Sequence, residues 1–273
     1  GVRLVGSEMC IRDRFIINAK NDNEIYEYLY KYYKKNKYYK KPKYNYCCIY
    51  EKRAIREEGI YNMIRSTNDG NTYFQSPTKF DQFIYLDLGC ADGWKTVKIG
   101  QGLGLEKNNI YGADINDWLD MKHNKSNKNL DKFNFIKLEM NKNFPIESNK
   151  FNVVTLLMVL HHITDIDQYL KELNRVMIIN GLLYVREHDA FDDIDYMLAD
   201  IEHAMYMRVQ NKDKEKSNIY DYYAKYFDWI ERDTIFEYYG FKKLHGNIIS
   251  DSIRNTAKPS RHDMALYYKY KNL

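Results

Sequence analysis

No apolar run in this chain is long enough to cross a bilayer. The longest unbroken stretches, such as residues 156–160, fall far short of the roughly 20 residues that a spanning helix needs. There are only four cysteines, Cys10, Cys47, Cys48 and Cys90, and no C-x-x-C spacing among them. That excludes the usual zinc and dithiol frameworks, and the neighbours Cys47 and Cys48 are poorly placed to bridge each other. A reducing, cytoplasmic compartment is the expectation. Proline is scarce, at four residues, and arginine is outnumbered by lysine, 12 against 30. Both follow a wider bias: Lys, Asn, Ile and Tyr supply 109 of the 273 residues, and all four are encoded by AT-rich codons. Genome composition accounts for this, so the density of Lys or Tyr alone carries no functional argument. A net charge of +4 does not imply a polyanionic partner. What is present, 44% hydrophobic and 29% charged residues, excludes wholesale disorder and is enough for a sizeable core.

Two zones follow a short leader. Residues 1–14 include G-S-E-M-C-I-R-D-R, which reads as translated adaptor sequence; the apolar run there is too short for a signal peptide, and the segment is set aside. Residues 15–80 form a Tyr- and Lys-rich extension, expected to be helical, with a helix over residues 51–65. Between Lys31 and Lys43 stand seven lysines and no acid, interleaved with Tyr32, Tyr33, Tyr38 and Tyr39. A nucleic-acid-facing surface is one reading of that run; a solvated helix and loop in an AT-rich genome is the other, and the better founded. Residues 81–273 then read as one α/β domain.

In that domain, apolar strands alternate with helical stretches, the pattern of a doubly wound, mostly parallel sheet. Strands are expected at residues 83–88, 109–113, 133–138, 151–157 and 182–186, with two more at 241–249 and 264–270. The fourth is mostly apolar, broken only by Asn152 and Thr155, the character of a strand buried on both faces. Asp165 is placed to cap a helix carrying Tyr169, Leu170, Leu173, Val176 and Met177, which Asn180-Gly181 should end. After Asp189 the chain turns acidic, and Asp192 is a plausible cap for a helix with Ile194, Met197, Leu198, Ile201 and Met205 on one face. Further helix is expected at residues 222–239, ended by Gly240.

Two motifs carry chemistry. In Tyr85-Leu-Asp-Leu-Gly-Cys-Ala-Asp-Gly-Trp94 a strand ends in an acid and turns through Gly89 and Gly93, with only Cys90 and Ala91 between Gly89 and Asp92. Such a turn lets backbone N–H groups approach a ligand closely at the carboxyl end of a strand. The spacing Gly89-x-Ala91-x-Gly93 fits the G-x-G-x-x-G of nicotinamide sites poorly, and Gly100-Gln-Gly-Leu-Gly104 reads as a loop. In Ile110-Tyr-Gly-Ala-Asp-Ile115 a second strand ends in Asp114, whose carboxylate can accept the hydroxyls of a ribose. Either acid alone is commonly a turn cap; both together, with the glycines, are specific.

From Ile84 to Asp189 the order of these motifs resembles the class I S-adenosylmethionine-dependent methyltransferases, particularly the broad type 11 group. Residues 87–93 look like the family's first motif; Asn143-Phe-Pro-Ile146 and the run from Phe151 to Asp165 look like its fourth-strand region; residues 180–189 resemble its fifth strand. The resemblance implies a seven-stranded Rossmann-like sheet and S-adenosyl-L-methionine as cofactor. It places Asp87, Gly89, Cys90, Ala91 and Gly93 around the methionine part, Asp114 on the ribose and Ile115 beside the adenine, with Glu139, Met140 and Leu157 elsewhere along the site. Departures are Ala91 for the middle glycine, Asn152 for the usual acid opening the fourth strand, and no acid at Met140, where Glu139 would have to substitute. Residues 186–189 in this compositional setting also look like methyltransferases of giant viruses.

Glu187, His188 and Asp189, at the end of the fifth strand, are the candidate catalytic residues, with His188 suited to take a proton from a hydroxyl or ammonium acceptor. The competing reading is that His188 and Asp189 only cap the next helix. His203 could point back at the same pocket. His161-His162 does not make a metal site, since strand neighbours point to opposite faces and no third ligand stands at metal spacing; in the family the pair lines the cofactor cleft. The expected function is methyl transfer to an unidentified acceptor, against the alternative of a catalytically silent, methyltransferase-like binding module.

Overall fold

A computed structural model of the chain describes residues 82–116, 131–190, 224–248 and 262–270, together with Ile60, Ile64, Tyr196 and Ala199. The leader, the Lys31–Lys43 run, Asp192 and His203 lie outside the described residues. In chain order the elements are β1 (Tyr85–Leu88), α1 (Trp94–Gly102), β2 (Ile110–Asp114), β3 (Asn134–Lys137), β4 (Phe151–Leu157), α2 (Ile166–Val176), β5 (Met177–His188), α3 (Trp229–Tyr238), β6 (Phe241–Ile248) and β7 (His262–Lys269).

The strands form one seven-stranded sheet in the order β3-β2-β1-β4-β5-β7-β6. β1 to β5 run parallel, and β7 pairs antiparallel with both β5 and β6. The order reverses between β1 and β4, which opens a crevice at the carboxyl ends of these strands. Alternation along each strand builds two cores. Leu86, Leu88, Val154, Leu156, Leu183 and Val185 face α2 and α3 through Leu170, Leu173 and Phe236. Tyr85, Val153, Leu157, Leu182 and Tyr184 face Val97 and Ile99 of α1, with Ile60 and Ile64 packed in the same cluster.

α2 is capped as its sequence demands, Asp165 Oδ1 accepting from the Gln168 N–H at 3.0 Å. Its end differs from expectation. The helix stops at Val176, and β5 begins at once with Met177 opposite Phe151. Asn180-Gly181 instead belongs to an excursion within β5: Asn180 adopts φ 65°, and pairing resumes at Leu182 opposite Val153. Gly100 and Gly102 are not in a loop but in the last turns of α1. A Cβ at Gly100 would lie 2.6 Å from Ile110 Cδ1, so glycine is required by the packing of α1 on β2. Asn152, in place of an acid, stitches β1 to β4: its Oδ1 accepts from Ile84 N at 2.8 Å and its own N–H donates to Ile84 O at 2.9 Å. No described helix is long and apolar enough to cross a membrane.

Candidate functional site

At the carboxyl end of β1 the chain enters three left-handed positions in five residues, Gly89 (φ 71°), Ala91 (φ 46°) and Gly93 (φ 67°). The Gly89 and Cys90 N–H groups both donate to Ala113 O, at 2.7 and 3.1 Å, which folds the loop over the end of β2. Ala91 N donates to Asp114 Oδ2 at 2.9 Å. Asp114 Oδ1 accepts from both nitrogens of Asn116, at 2.8 Å (backbone) and 3.1 Å (side chain). Gly89 is fixed from the other side as well: a Cβ there would stand 2.3 Å from Val159 Cγ2.

Asp87 works beneath this loop. Its Oδ2 accepts from Thr96 Oγ1 at 2.6 Å and its Oδ1 from Thr155 Oγ1 at 2.7 Å. Because the single Thr155 proton goes to Asp87, Tyr85 Oη must be the donor in its 2.8 Å bond to Thr155. Burial pushes the Asp87 carboxyl up, and the two threonine hydrogen bonds only partly offset it. Tyr85, Thr155, Asp87 and Thr96 thus form a buried polar strut joining β1, β4 and α1.

A cavity of about 280 Å³ opens over the carboxyl ends of β1, β2 and β4. Gly89 and Asp114 stand on one side and Met158, Val159 and His162 on another. Ile115, Leu138, Met140 and Phe144 make an apolar slot, in which Ile115 and Met140 are 47% and 57% exposed. Asn141, Thr164, Asp165 and Gln168 give a polar rim. Glu139 also lines it, ion-paired with Lys142. Tyr169 of α2 closes the back, its hydroxyl pushed up by burial and by the negative charge of Asp114, Glu187 and Asp87.

Of the residues assigned to the cofactor, Gly89, Asp114, Ile115, Glu139 and Met140 therefore line the cavity. Asp87, Cys90, Ala91, Gly93 and Leu157 do not. Asp87 and Cys90 are buried in support of the loop; burial, then Asp87 and Asp114, keep the Cys90 thiol protonated. Leu157, the last residue of β4, points into the α1 side of the core, and the turn after it gives the cavity Met158 and Val159 instead.

The largest correction concerns the end of β5. Glu187, His188 and Asp189 are all buried, and none lines the cavity. Glu187 Oε1 accepts from Val159 N and Leu160 N at 2.7 and 2.6 Å, and its Oε2 meets His161 Nδ1 at 2.5 Å. Burial by itself raises this carboxyl, but His161 and the two backbone donors outweigh it and hold it below the ordinary glutamate value. His188 packs edge-on against His161 and Tyr226, with ring centroids 4.9 and 5.4 Å away. Asp189 Oδ1 accepts from Trp229 N at 3.2 Å, at the start of α3. Of the histidine pair after β4, His162 reaches the cavity and His161 is turned inward. The family resemblance, in which the histidine pair lines the cofactor cleft, was the signal the sequence offered for His162. Phe144, within the Asn143-Phe-Pro-Ile146 motif, and Tyr169, on the face of the capped helix, were not assigned to the site from sequence. Among the described residues no group of three or more His, Cys, Asp or Glu could hold a metal ion.

The reversal of strand order, the glycine loop and the acid closing β2 define an α/β protein with a cleft at its topological switch point. The chain belongs to the family described as "Methyltransferase domain", which matches residues 79–238. No protein of curated function matches it in sequence. Solved structures similar to it include one from Galdieria sulphuraria, assigned provisionally as a sarcosine dimethylglycine methyltransferase. That likeness has 13% identity and a TM-score of 0.53, over 80% of this chain and 87% of that one. A methyltransferase from Haloferax volcanii, likewise provisional and complexed with the activator Trm112, has 12% identity and a TM-score of 0.52, over 79% and 94%. An S-adenosylmethionine-dependent methyltransferase from Mesorhizobium loti has 11% identity and a TM-score of 0.50, over 71% and 94%. At these identities the likeness is one of fold.

Proposed function

We propose that the chain binds S-adenosyl-L-methionine in this cavity and transfers its methyl group to an acceptor. The carrying observation is Asp114, 7% exposed at the end of β2, lining the cavity together with Gly89. The residues present fit that cofactor. Three of the roughly four acceptor positions on the Asp114 carboxylate are engaged by Ala91 and Asn116. A ribose hydroxyl can take the remaining one or displace the Asn116 amide. Gly89 brings bare backbone to the cleft, and the slot of Ile115, Met140 and Phe144 suits a flat base. When bound, the cofactor supplies a sulfonium methyl for in-line displacement by an acceptor lone pair. The protein's part is to orient both reactants and exclude water. His162, Val159 and Tyr169 are placed for that, and His162 rather than His188 is the histidine at hand for a proton. The cysteine pattern supports a cytoplasmic setting. The acceptor is unassigned, and a nucleic-acid acceptor approached through Lys31–Lys43 is not the favoured reading.

The test is calorimetry on the full chain with S-adenosylhomocysteine and, separately, with NAD. Binding of the first and not the second is expected; no heat with S-adenosylhomocysteine rejects the reading. Labelled S-adenosylmethionine incubated with the protein and a cell extract then sorts the acceptor by whether label follows protein, nucleic acid or small molecules.

A further inference from the structure

The turn that follows β4 is shaped against its own preference. Met158 takes φ 64°, which non-glycine residues adopt at a cost of about 1–3 kcal/mol, and Val159 has φ −128° and ψ −38°. Such a turn persists only when its surroundings hold it. Met158 N donates to Arg186 O at 2.7 Å, and the next two N–H groups converge on one oxygen of Glu187. The other oxygen of Glu187 holds the His161 ring, while Lys225 N closes on His161 O at 2.8 Å. A carboxylate only 3% exposed is retained at the cost of its hydration, so three donors aimed at it account for its being there. The turn it secures carries Met158, Val159 and His162 into the cavity and seats Val159 against Gly89.

We propose that Glu187 is a positioning residue for the cofactor cleft: from β5 it clamps the turn after β4 and so sets the gap between Val159 and the Gly89 loop. This rests on the reading that the cavity takes S-adenosylmethionine. It also reassigns a residue that sequence placed on the acceptor. Glu187 touches no reactant; it acts through two backbone amides and one imidazole. Because the clamp is made mostly by a single oxygen accepting two N–H bonds, an amide oxygen can replace it, whereas a methyl group cannot.

The experiment compares wild type, Glu187→Ala and Glu187→Gln. Calorimetry with S-adenosylhomocysteine is paired with hydrogen–deuterium exchange of the peptide covering residues 157–163. Expected are a tenfold or greater loss of affinity in Glu187→Ala, with faster exchange confined to that peptide, and recovery to within about threefold in Glu187→Gln. A folded Glu187→Ala that binds within twofold of wild type overturns the proposal, as does a Glu187→Gln no better than Glu187→Ala. Should Glu187→Ala fail to fold, Glu187→Asp replaces it: one methylene shorter, it cannot reach both amides and the ring, and wild-type affinity there overturns the proposal. Should wild type itself not bind, the cofactor reading falls on its own. Exchange in the turn then judges Glu187 alone, and unchanged protection in the variant is the overturning result.

Discussion

Asp114 and Ala91, 23 residues apart, are joined by a 2.9 Å hydrogen bond from the Ala91 N–H to Asp114 Oδ2. One carboxylate thus shapes the glycine loop and faces the cavity that the loop borders. Asp114→Ala removes both functions. Charge-assisted hydrogen bonds are worth about 1.5–3 kcal/mol each, so affinity for S-adenosylhomocysteine should fall at least tenfold. Asp114→Asn keeps an oxygen for Ala91 and should fall between. Calorimetry with circular dichroism as a fold control decides it, and an unchanged dissociation constant in folded Asp114→Ala removes Asp114 from the site.

The loop's two left-handed positions next to it differ in what they tolerate. Gly89→Ala adds a Cβ where Val159 Cγ2 already stands, at a φ of +71°. Strain of that kind costs about 1–3 kcal/mol, and pairing the change with Val159→Ala should recover part of it. Ala91, at φ 46°, already bears such backbone strain. Ala91→Gly relieves roughly 1–2 kcal/mol of it and loses about 0.4–1 kcal/mol to unfolded-state entropy. A small gain in melting temperature with unchanged cofactor affinity is therefore expected. A destabilised Ala91→Gly means that the loop is not strained there.

Acid should loosen the far wall of the cavity. Arg175 of α2 grips Glu172 with Nε and Nη2 at 2.8 and 2.7 Å, and Glu172 Oε2 accepts from Phe144 N at 2.7 Å. Arg175 Nη1 also donates to Ile146 O at 2.8 Å, so the pair pins the loop that presents Phe144. The arginine hydrogen bonds hold the Glu172 carboxyl below its ordinary value of 4.5, against the effect of burial. Its folded pKa lies under its unfolded one, so its stabilisation is complete above 4.5 and disappears as pH falls through the depressed value. Glu172→Gln should cost about 1–3 kcal/mol at neutral pH in urea unfolding. That gap from wild type should narrow steadily below pH 4.5; a gap independent of pH means that charge has no part in it.

The sheet was legible because β4 and its neighbours alternate or saturate with apolar residues. Asp114 was legible as the acid that ends a strand beside a glycine turn, whereas Asp87, read as a cofactor contact, supports the loop from beneath. What sequence could not show is which side of a strand end each group takes. By sequence position Glu187, His188 and Asp189 close a strand whose carboxyl end borders the cleft, and three ionisable residues in a row read as chemistry, yet all three are buried away from the cavity. Their burial is explained by partners 26 to 40 residues away: His161 for Glu187 and Trp229 for Asp189. Phe144 joins the cavity through a loop pinned by Arg175, a relation that no periodicity reveals. Asn180-Gly181 failed as a helix stop because Met177 already pairs with Phe151, and strand pairing took precedence over the local turn signal.

His188 brings the two readings of this corner into direct conflict. As a base it would need the acceptor; as a wall it needs only its neighbours. The structure shows it 3% exposed, edge-on to His161 and Tyr226, at the place where residues 224–228 dock on the end of β5. That docking is completed by the bridge between Asp189 and Phe227. Emptying the ring's volume in His188→Ala should then cost on the order of 3 kcal/mol and lower the melting temperature, as large-to-small changes in packed sites do. His188→Phe refills most of that volume without an ionisable nitrogen. It should keep a near-wild-type melting temperature, bind S-adenosylhomocysteine normally and still transfer labelled methyl groups to the extract. If His188→Phe is stable and binds, yet transfers a hundredfold less, then His188 supplies the proton chemistry and the wall assignment is wrong.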